Sequence, residues 1–293
     1  MKAAAFNYAR VASVDDALAL LATHGDAAKI LSGGQSLMPA LNLRLSAPDW
    51  IVDIGGIAAL KGIRVSGGAL TIGALTRHCD ILNSPEIKTH APLLVDAMAY
   101  VAHAAIRNRG TIGGNLAHAD PASEMPACMM SLNATIVVQG PGGERRIAAD
   151  DFFTGIYETA LAPDELLIAV EIPAAAENAT HYFHEHARRK GDYAIVGLAA
   201  SAVIDGDRFS DLRLGFFAVG DRPVLAKAAS HLIKKPVMAD ALADADAALD
   251  AELQPQDDQQ ASSAMRRHLA RQLMAACVAK LLGRDDLQMR MTA

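Results

Sequence analysis

The residues with the densest chemistry run from Arg107 to Pro126, RNRGTIGGNLAHADPASEMP. Gly110, Gly113 and Gly114 fall within five positions. Glycine takes positive φ without a Cβ clash and lets backbone come close to a ligand. Successive N–H groups in such a turn form a concave nest that suits an anion. Thr111 adds a hydroxyl, and Asn115 adds an amide that tolerates left-handed backbone. Ile112 completes the segment, and His118, Asp120, Ser123 and Glu124 follow. Read alone, one Gly-Gly pair is an ordinary surface turn. A partner changes that reading: Lys29, Ile30, Leu31, Ser32, Gly33, Gly34, Gln35 and Ser36 form a second such loop between a strand and a helix. There the backbone donors and the helix N-terminus both face a phosphate. Two phosphate-type loops suggest a ligand with two phosphates. Neither a GxGxxG nor a GxxxxGK pattern occurs, so an ordinary dinucleotide fold is disfavoured although the ligand is dinucleotide-like.

Other clusters are weaker. His184 and His186 share a strand face beside His181 and Glu185 and could hold a metal, but no Cys or carboxylate completes a site, so a solvated face is the better reading. Arg188-Arg189-Lys190 reads as surface charge or a partner contact. Arg107 and Arg109 suit a phosphate or loop bracing. Tyr193, after Gly191 and Asp192, is either core or a cover for a planar ligand. Ser123 and His118 lack an orienting group and an oxyanion hole, so hydrolysis is set aside and no residue is assigned as catalytic.

The elements that must position these loops follow from pattern. Phe6 to Tyr8 is a short edge strand. Ser13 caps a helix with Asp15 and Asp16 in its first turn, ended by Gly25. Lys29 to Leu31 is a buried strand, and Leu37 to Arg44 a helix with Leu37, Leu41 and Leu45 on one side. Trp50 to Ile54 is a strand. Ile63 to Val65 and Leu70 to Ile72 make a hairpin around Gly67-Gly68. Thr76 caps a helix from Arg77 to Leu82, and Pro92 opens another to Ala104. Pro126 restarts a helix to Leu132. Ala134 to Gln139 and Leu166 to Ile172 are strands. Ala174 to Asn178 is a linker. Beyond it His181–Arg188, Ala199–Ile204 and Leu212–Val219 read as antiparallel strands, and two or three Ala-rich helices close the chain, the last from Ala264 to Leu282.

Length and composition bound the function. With 293 residues and 52% hydrophobic content the chain can bury a large core in two or three domains. A net charge of −6 argues against nucleic acid, which needs a basic stripe. Cys79, Cys128 and Cys277 are too scattered for a disulfide framework or a cluster site. The N-terminal run does not read as a signal peptide, and no apolar run approaches the roughly 18 residues of a membrane span, so a cytoplasmic location is expected.

Together these residues resemble the FAD-binding medium subunit of the molybdenum hydroxylases, the xanthine dehydrogenase and carbon monoxide dehydrogenase group. The matching stretches are Ser32–Ser36, Ile72-Gly73-Ala74, Arg107–Pro126, Arg188–Ala194 and Met265–Leu269, in family order and at family spacing. The resemblance implies an α+β fold: a vanillyl-alcohol-oxidase-like (PCMH-type) FAD-binding domain of two subdomains, residues 1–55 and 56–175, and a C-terminal α+β domain, 176–293, with an antiparallel sheet and helices. It implies non-covalent FAD between them, the Lys29–Ser36 and Thr111–Asn115 loops on its pyrophosphate, and contacts from Glu124 and Leu167. Tyr193 matches an aromatic that covers the isoalloxazine. Relatives often carry a Lys just before Arg188-Arg189, where this chain has His184 and His186.

The resemblance further implies a divided reaction. A large subunit holds molybdopterin, a small subunit holds two [2Fe–2S] clusters, and this chain passes electrons from those clusters through FAD to an external acceptor, in a dimer of heterotrimers. No metal site is expected in this chain. Other readings are a stand-alone flavin oxidase of the same fold, or a non-catalytic nucleotide-binding assembly subunit.

Overall fold

The computed structural model describes residues 2–284 and Leu287. The chain begins with strand β1 (Asn7–Arg10), helix α1 (Val14–His24), β2 (Ala28–Leu31), α2 (Leu37–Asn42) and β3 (Trp50–Asp53). These strands pair in parallel in the order β1-β3-β2. Ser13 caps α1 as its sequence dictates, its Oγ accepting from the Asp16 N–H at 3.1 Å. The order puts β2 on an edge. It is therefore less buried than expected: Lys29 is exposed and Ile30 and Leu31 are half-buried. Helix α2 stops at Asn42, and Leu45, expected on its apolar side, is 79% exposed.

The next stretch builds β4 (Ile63–Ser66) and β5 (Ala69–Gly73), then a run of short helices: α3 (His78–Asn83), α4 (Pro85–His90), α5 (Pro92–Met98), α6 (Ala104–Arg107), α7 (Ile112–His118) and α8 (Glu124–Ser131). It ends in β6 (Thr135–Gly140), β7 (Gly143–Ala148), α9 (Ala149–Phe152), β8 (Phe153–Gly155), β9 (Glu158–Thr159) and β10 (Leu166–Ile172). The main sheet has the antiparallel order β4-β5-β10-β6-β7. Strand β10 thus lies at its centre and shares one core with α5, α7 and α8.

Three local expectations are corrected. The helix from Pro92 breaks after Met98, because the chain turns through Ala102 at φ +41° before restarting at Ala104. Thr76 does not cap a helix; its hydroxyl pairs with the N–H and carbonyl of Gly62 at 3.1 and 3.0 Å, and Arg77 takes the cap position. Helix α8 starts at Glu124, two residues before Pro126.

Past the linker, β11 (Ala179–His186), β12 (Val196–Asp205), β13 (Arg208–Phe217) and β14 (Val224–Leu225) form an antiparallel sheet in chain order. Helices α10 (Ala239–Glu252) and α11 (Ser263–Leu282) cover one face and share a core with it. The other face meets α8. There the buried Ser131 donates to the Ala199 carbonyl at 2.8 Å, and Ala194, Ala199, Phe217 and Ala218 join the core of the central sheet.

Candidate functional site

A cleft of about 670 Å³ runs along the edge of the first sheet, past α7 and α8, to the loop that precedes β12. Lys29, Ile30, Ser32, Gly33, Gly34, Gln35 and Ser36 line one wall; Thr111, Gly113, Gly114, Asn115 and Glu124 line another. Leu167 and Tyr193 also reach it. Leu31 and Ile112 do not line it: Ile112 is fully buried in the core, and the Leu31 side chain lies under Gly34.

The two loops are in direct contact. Ser32 Oγ and Thr111 Oγ1 are hydrogen-bonded at 2.7 Å. A Cβ on Gly33 would stand 2.3 Å from the Arg109 carbonyl oxygen, so only glycine lets the backbones meet. Gly34 sits at φ +72°, the turn that sends β2 into α2.

The loops differ in what they offer an anion. Ile112, Gly113, Gly114 and Asn115 are in the first turn of α7, not in a positive-φ nest. Their N–H groups are bonded to Thr76 O (3.0 Å), Ala74 O (2.9 Å), Thr111 Oγ1 (3.2 Å) and Thr111 O (3.0 Å). By contrast, the N–H groups of Ser32, Gly33, Gly34, Gln35 and Ser36 carry no hydrogen bond within the described residues. The first loop supplies donors; the second supplies a bare glycine surface and two polar side chains. Asn115 in turn grips the Ser123 hydroxyl through both amide atoms, at 2.8 and 3.1 Å, and so fixes the start of α8 against α7.

Three titratable groups at the cleft are neutral or paired. Glu124 is almost fully buried, and burial, reinforced by Glu185 and Asp120, pushes its carboxyl up to about 8. It is a neutral acid at neutral pH. Glu165 pairs with Arg145 at 2.6 Å, and that contact holds its carboxyl below the usual range. His78, at an apolar end with Val101 and Ile106, is kept neutral by burial. Two further carboxylates, Asp120 and Asp192, also line the cleft, as does Lys29.

Arg107 braces rather than binds: its Nη1 donates to the carbonyls of Val101 (2.8 Å) and Ala102 (3.0 Å). Arg109 is exposed and absent from the lining. Arg188 ties its loop to the carbonyls of Gln259 and Gln260 at 2.8 and 3.4 Å. His181 pairs with Asp96 at 3.0 Å, while His184 packs on His186 and Tyr100. Among the described residues no three His, Cys, Asp or Glu come together as metal ligands.

Sequence reasoning missed Tyr157. It lies between β8 and β9 at φ +57°, its ring 4.8 Å from that of His118, and it lines the same cleft as Tyr193. Ala102, Ala119 and Ala218 also hold positive φ near this cleft or the pocket beside it. Such backbone costs energy and persists where the surroundings over-determine it. Leu167 reaches the cleft next to a bulge in the β10–β6 pairing, which falls between Leu167 and Ala169.

The sequence model for the FAD binding domain in molybdopterin dehydrogenase matches residues 4–175, and that for the CO dehydrogenase flavoprotein C-terminal domain matches residues 181–281. This chain belongs to the FAD-binding subunits of the molybdenum hydroxylases. It is similar to the alpha subunit of the 6-hydroxypseudooxynicotine dehydrogenase complex of Paenarthrobacter nicotinovorans, with 38% identity over 97% of each chain. The carbon monoxide dehydrogenase medium chain of Hydrogenophaga pseudoflava is 35% identical, over 92% of this chain and 94% of that one. A solved carbon monoxide dehydrogenase from the same organism, which lacks the Mo-pyranopterin moiety of its molybdenum cofactor, superposes with a TM-score of 0.94 at 34% identity, over 97% and 99% of the two chains. As a member of this family the chain is an FAD-binding oxidoreductase component, and its fold is that of the PCMH-type FAD domain followed by a C-terminal domain. No helix among the described residues is long and apolar enough to cross a membrane.

Proposed function

We propose that FAD lies non-covalently in the cleft and that this chain relays electrons through it. The supporting observation is the Ser32–Ser36 loop, whose N–H groups carry no hydrogen bond among the described residues and which touches the second loop through the Ser32–Thr111 contact. In this reading those N–H groups hold the pyrophosphate, and Lys29, Ile30 and Leu31 set their approach. Thr111, Ile112, Gly113, Gly114 and Asn115 form the opposing surface. Glu124, a neutral carboxylic acid, donates a hydrogen bond to a cofactor acceptor. Leu167 packs on the flavin, and Tyr193 covers the isoalloxazine at the mouth. Bound FAD supplies two-electron redox chemistry; the chain binds it, orients it and limits water. No residue acts as a general acid or base on the hydroxylated substrate.

The working assembly is a dimer of heterotrimers in the cytoplasm. Its small subunit carries two [2Fe–2S] clusters, and its large subunit carries molybdopterin. The division at 1–55, 56–175 and 176–293 belongs to the same reading, with the last residues of the third unit outside the described ones. Electrons arrive from the clusters and leave to an external acceptor. The chain purified alone and saturated with FAD should oxidise no substrate, whereas co-expression with the subunits encoded beside it should give a complex that does. Acid precipitation should release the flavin into the supernatant. Full turnover by the isolated chain would promote a stand-alone oxidase, and flavin left in the pellet would mean a covalent link.

A further inference from the structure

Two carboxylic acids come together beneath the cleft, at the seam between α8 and the third sheet. Three contacts set the register of α8 on that sheet. The Pro121 carbonyl, just before the helix, accepts the Ala218 N–H at 2.8 Å. A Cβ on Gly215 would stand 2.6 Å from the Ala127 carbonyl oxygen. At the far end Ser131 bonds to the Ala199 carbonyl. Glu124 and Cys128 follow the first contact and precede the last, which lays them over Phe217 and its partner Gly197. Gly197 pairs on its other side with Glu185 of β11, so the Glu185 side chain rises from the same face, toward α8.

The seam is apolar. A Cβ on Gly197 would fall 2.0 Å from the Phe217 ring, and Phe183 stacks on that ring at 5.9 Å. Into this setting the chain puts two acids, Glu124 at 9% exposure and Glu185 at 6%. Neither has a Lys or Arg beside it among the described residues. Glu185 Oε2 is sealed from solvent and has no hydrogen-bond partner. Such a group destabilises a seam that an apolar side chain would close better, so packing does not account for it. Burial pushes Glu185 up to about 7 and Glu124 up to about 8, so both exchange protons near neutral pH. The other groups facing them are Asp120 and the Tyr193 phenol, which act on Glu124 from the loops before α8 and β12. Asp96, paired with His181 at 3.0 Å, acts on Cys128 from α5.

The two acids occupy different places along one path. Glu124 lines the cleft and Glu185 does not. Glu185 instead lies near the end of β11, the edge strand of its sheet, just before the exposed Arg188-Arg189-Lys190 run.

We infer that Glu185 and Glu124 form a proton relay between the β11 edge and the cofactor cleft. This rests on the placement of FAD in that cleft. Iron–sulfur clusters deliver electrons without protons, whereas the change from FAD to FADH2 takes two electrons and two protons. The protons need a route of their own. Glu124 gives its carboxyl proton to the cleft, Glu185 passes its own to the Glu124 carboxylate, and water at the β11 edge restores Glu185. Each cycle moves one proton and no electron, so two cycles match the two electrons. Glu185 acts through Glu124 and does not touch the cofactor.

The test runs the relay in reverse. The full chain, loaded with FAD and photoreduced without oxygen, is mixed with ferricyanide in weak buffer containing a pH-indicator dye. Ferricyanide takes electrons and no protons. In the wild type, proton release should keep pace with the return of the oxidised flavin band. Glu185→Gln should slow proton release at least about tenfold, with FAD affinity unchanged because Glu185 lies outside the cleft lining. Release as fast in Glu185→Gln as in the wild type would overturn the relay. Should that variant fail to fold, the wild type still decides the matter. Its reduced-minus-oxidised infrared difference spectrum should contain carboxylic-acid C=O bands that shift in D2O, and their absence would overturn the relay. A wild-type chain that takes up no FAD would overturn both this inference and the reading beneath it, whereas FAD uptake without those bands would overturn the inference alone.

Discussion

Ser32 and Thr111, separated by 79 positions, share a hydroxyl–hydroxyl hydrogen bond of 2.7 Å at the point where the two glycine loops touch. Thr111 Oγ1 also accepts the Gly114 N–H at 3.2 Å, and its second lone pair or its own proton serves the bond to Ser32, in which either hydroxyl can donate. Thr111→Val keeps the shape and removes both bonds. Stability should fall by about 1–2 kcal/mol, the usual cost of losing an N-cap and a hydrogen bond, and FAD affinity by about tenfold. Chemical unfolding and flavin titration measure the two separately; unchanged FAD affinity would mean that the contact only braces the fold.

Gly33→Ala places a methyl 2.3 Å from the Arg109 carbonyl, against backbone that cannot rotate away. The loops must part. Overpacking of this kind costs about 1–3 kcal/mol, and loss of the aligned N–H groups should lower FAD affinity more than tenfold. Gly114→Val is the companion on the other loop: its Cβ would meet Thr111 Oγ1 at 2.8 Å and Ser32 Cβ at 3.4 Å. Circular dichroism should report an intact fold in both variants while flavin is lost on gel filtration.

Glu124 sets a pH dependence. Its carboxyl is raised to about 8 in the folded chain, chiefly by burial. The folded state therefore holds a proton that the unfolded state releases above the ordinary carboxyl value, and linkage makes stability fall as pH rises through that interval. The contribution is intact below about pH 4.5 and is lost by about pH 8. Glu124→Gln removes the titrating group. Its melting temperature should fall less steeply than that of the wild type between pH 5 and 8, by several degrees at about 2–4 °C per kcal/mol. Parallel curves for the two proteins would show that Glu124 ionises freely.

Tyr193 is 63% exposed, so its truncation removes little packing. Tyr193→Ala should cost under about 1 kcal/mol of stability. If the phenol covers the isoalloxazine, the flavin band should shift and the reduction potential should move by about 30 mV, equivalent to about 1.4 kcal/mol for a two-electron couple. A potential equal to that of the wild type would leave Tyr193 as a surface residue.

Much of this arrangement was legible in the chain. Strand, loop and helix around Ser32–Ser36 follow from periodicity, and the TIGGN segment identifies the family. The division of labour between the loops was not. Whether an N–H is free depends on what comes near it, and the donors of Gly113 and Ile112 are taken by Ala74 and Thr76, some forty positions earlier. Glu124 was read as an acidic contact, but its neutrality depends on burial and on Glu185 from another sheet. Tyr157 gave no signal because it lies in a short connection whose backbone sign no pattern reports. The helix expected through Ala104 failed for a similar reason: Arg107 collects the carbonyls of Val101 and Ala102 and stabilises a turn that local propensity disfavours.

The seam between α8 and the third sheet has a consequence during synthesis. The core built around β5, β6 and β10 also needs Ala194, Ala199, Phe217 and Ala218 from beyond the linker. A nascent chain that has released residues up to the linker carries an apolar face with nothing yet to cover it, and such faces invite aggregation. The ribosome must deliver roughly forty more residues before that face closes, at about 5–20 residues per second. Over those few seconds that face stays open to aggregation, and the Tyr193 segment at the mouth of the cleft is made in the same interval.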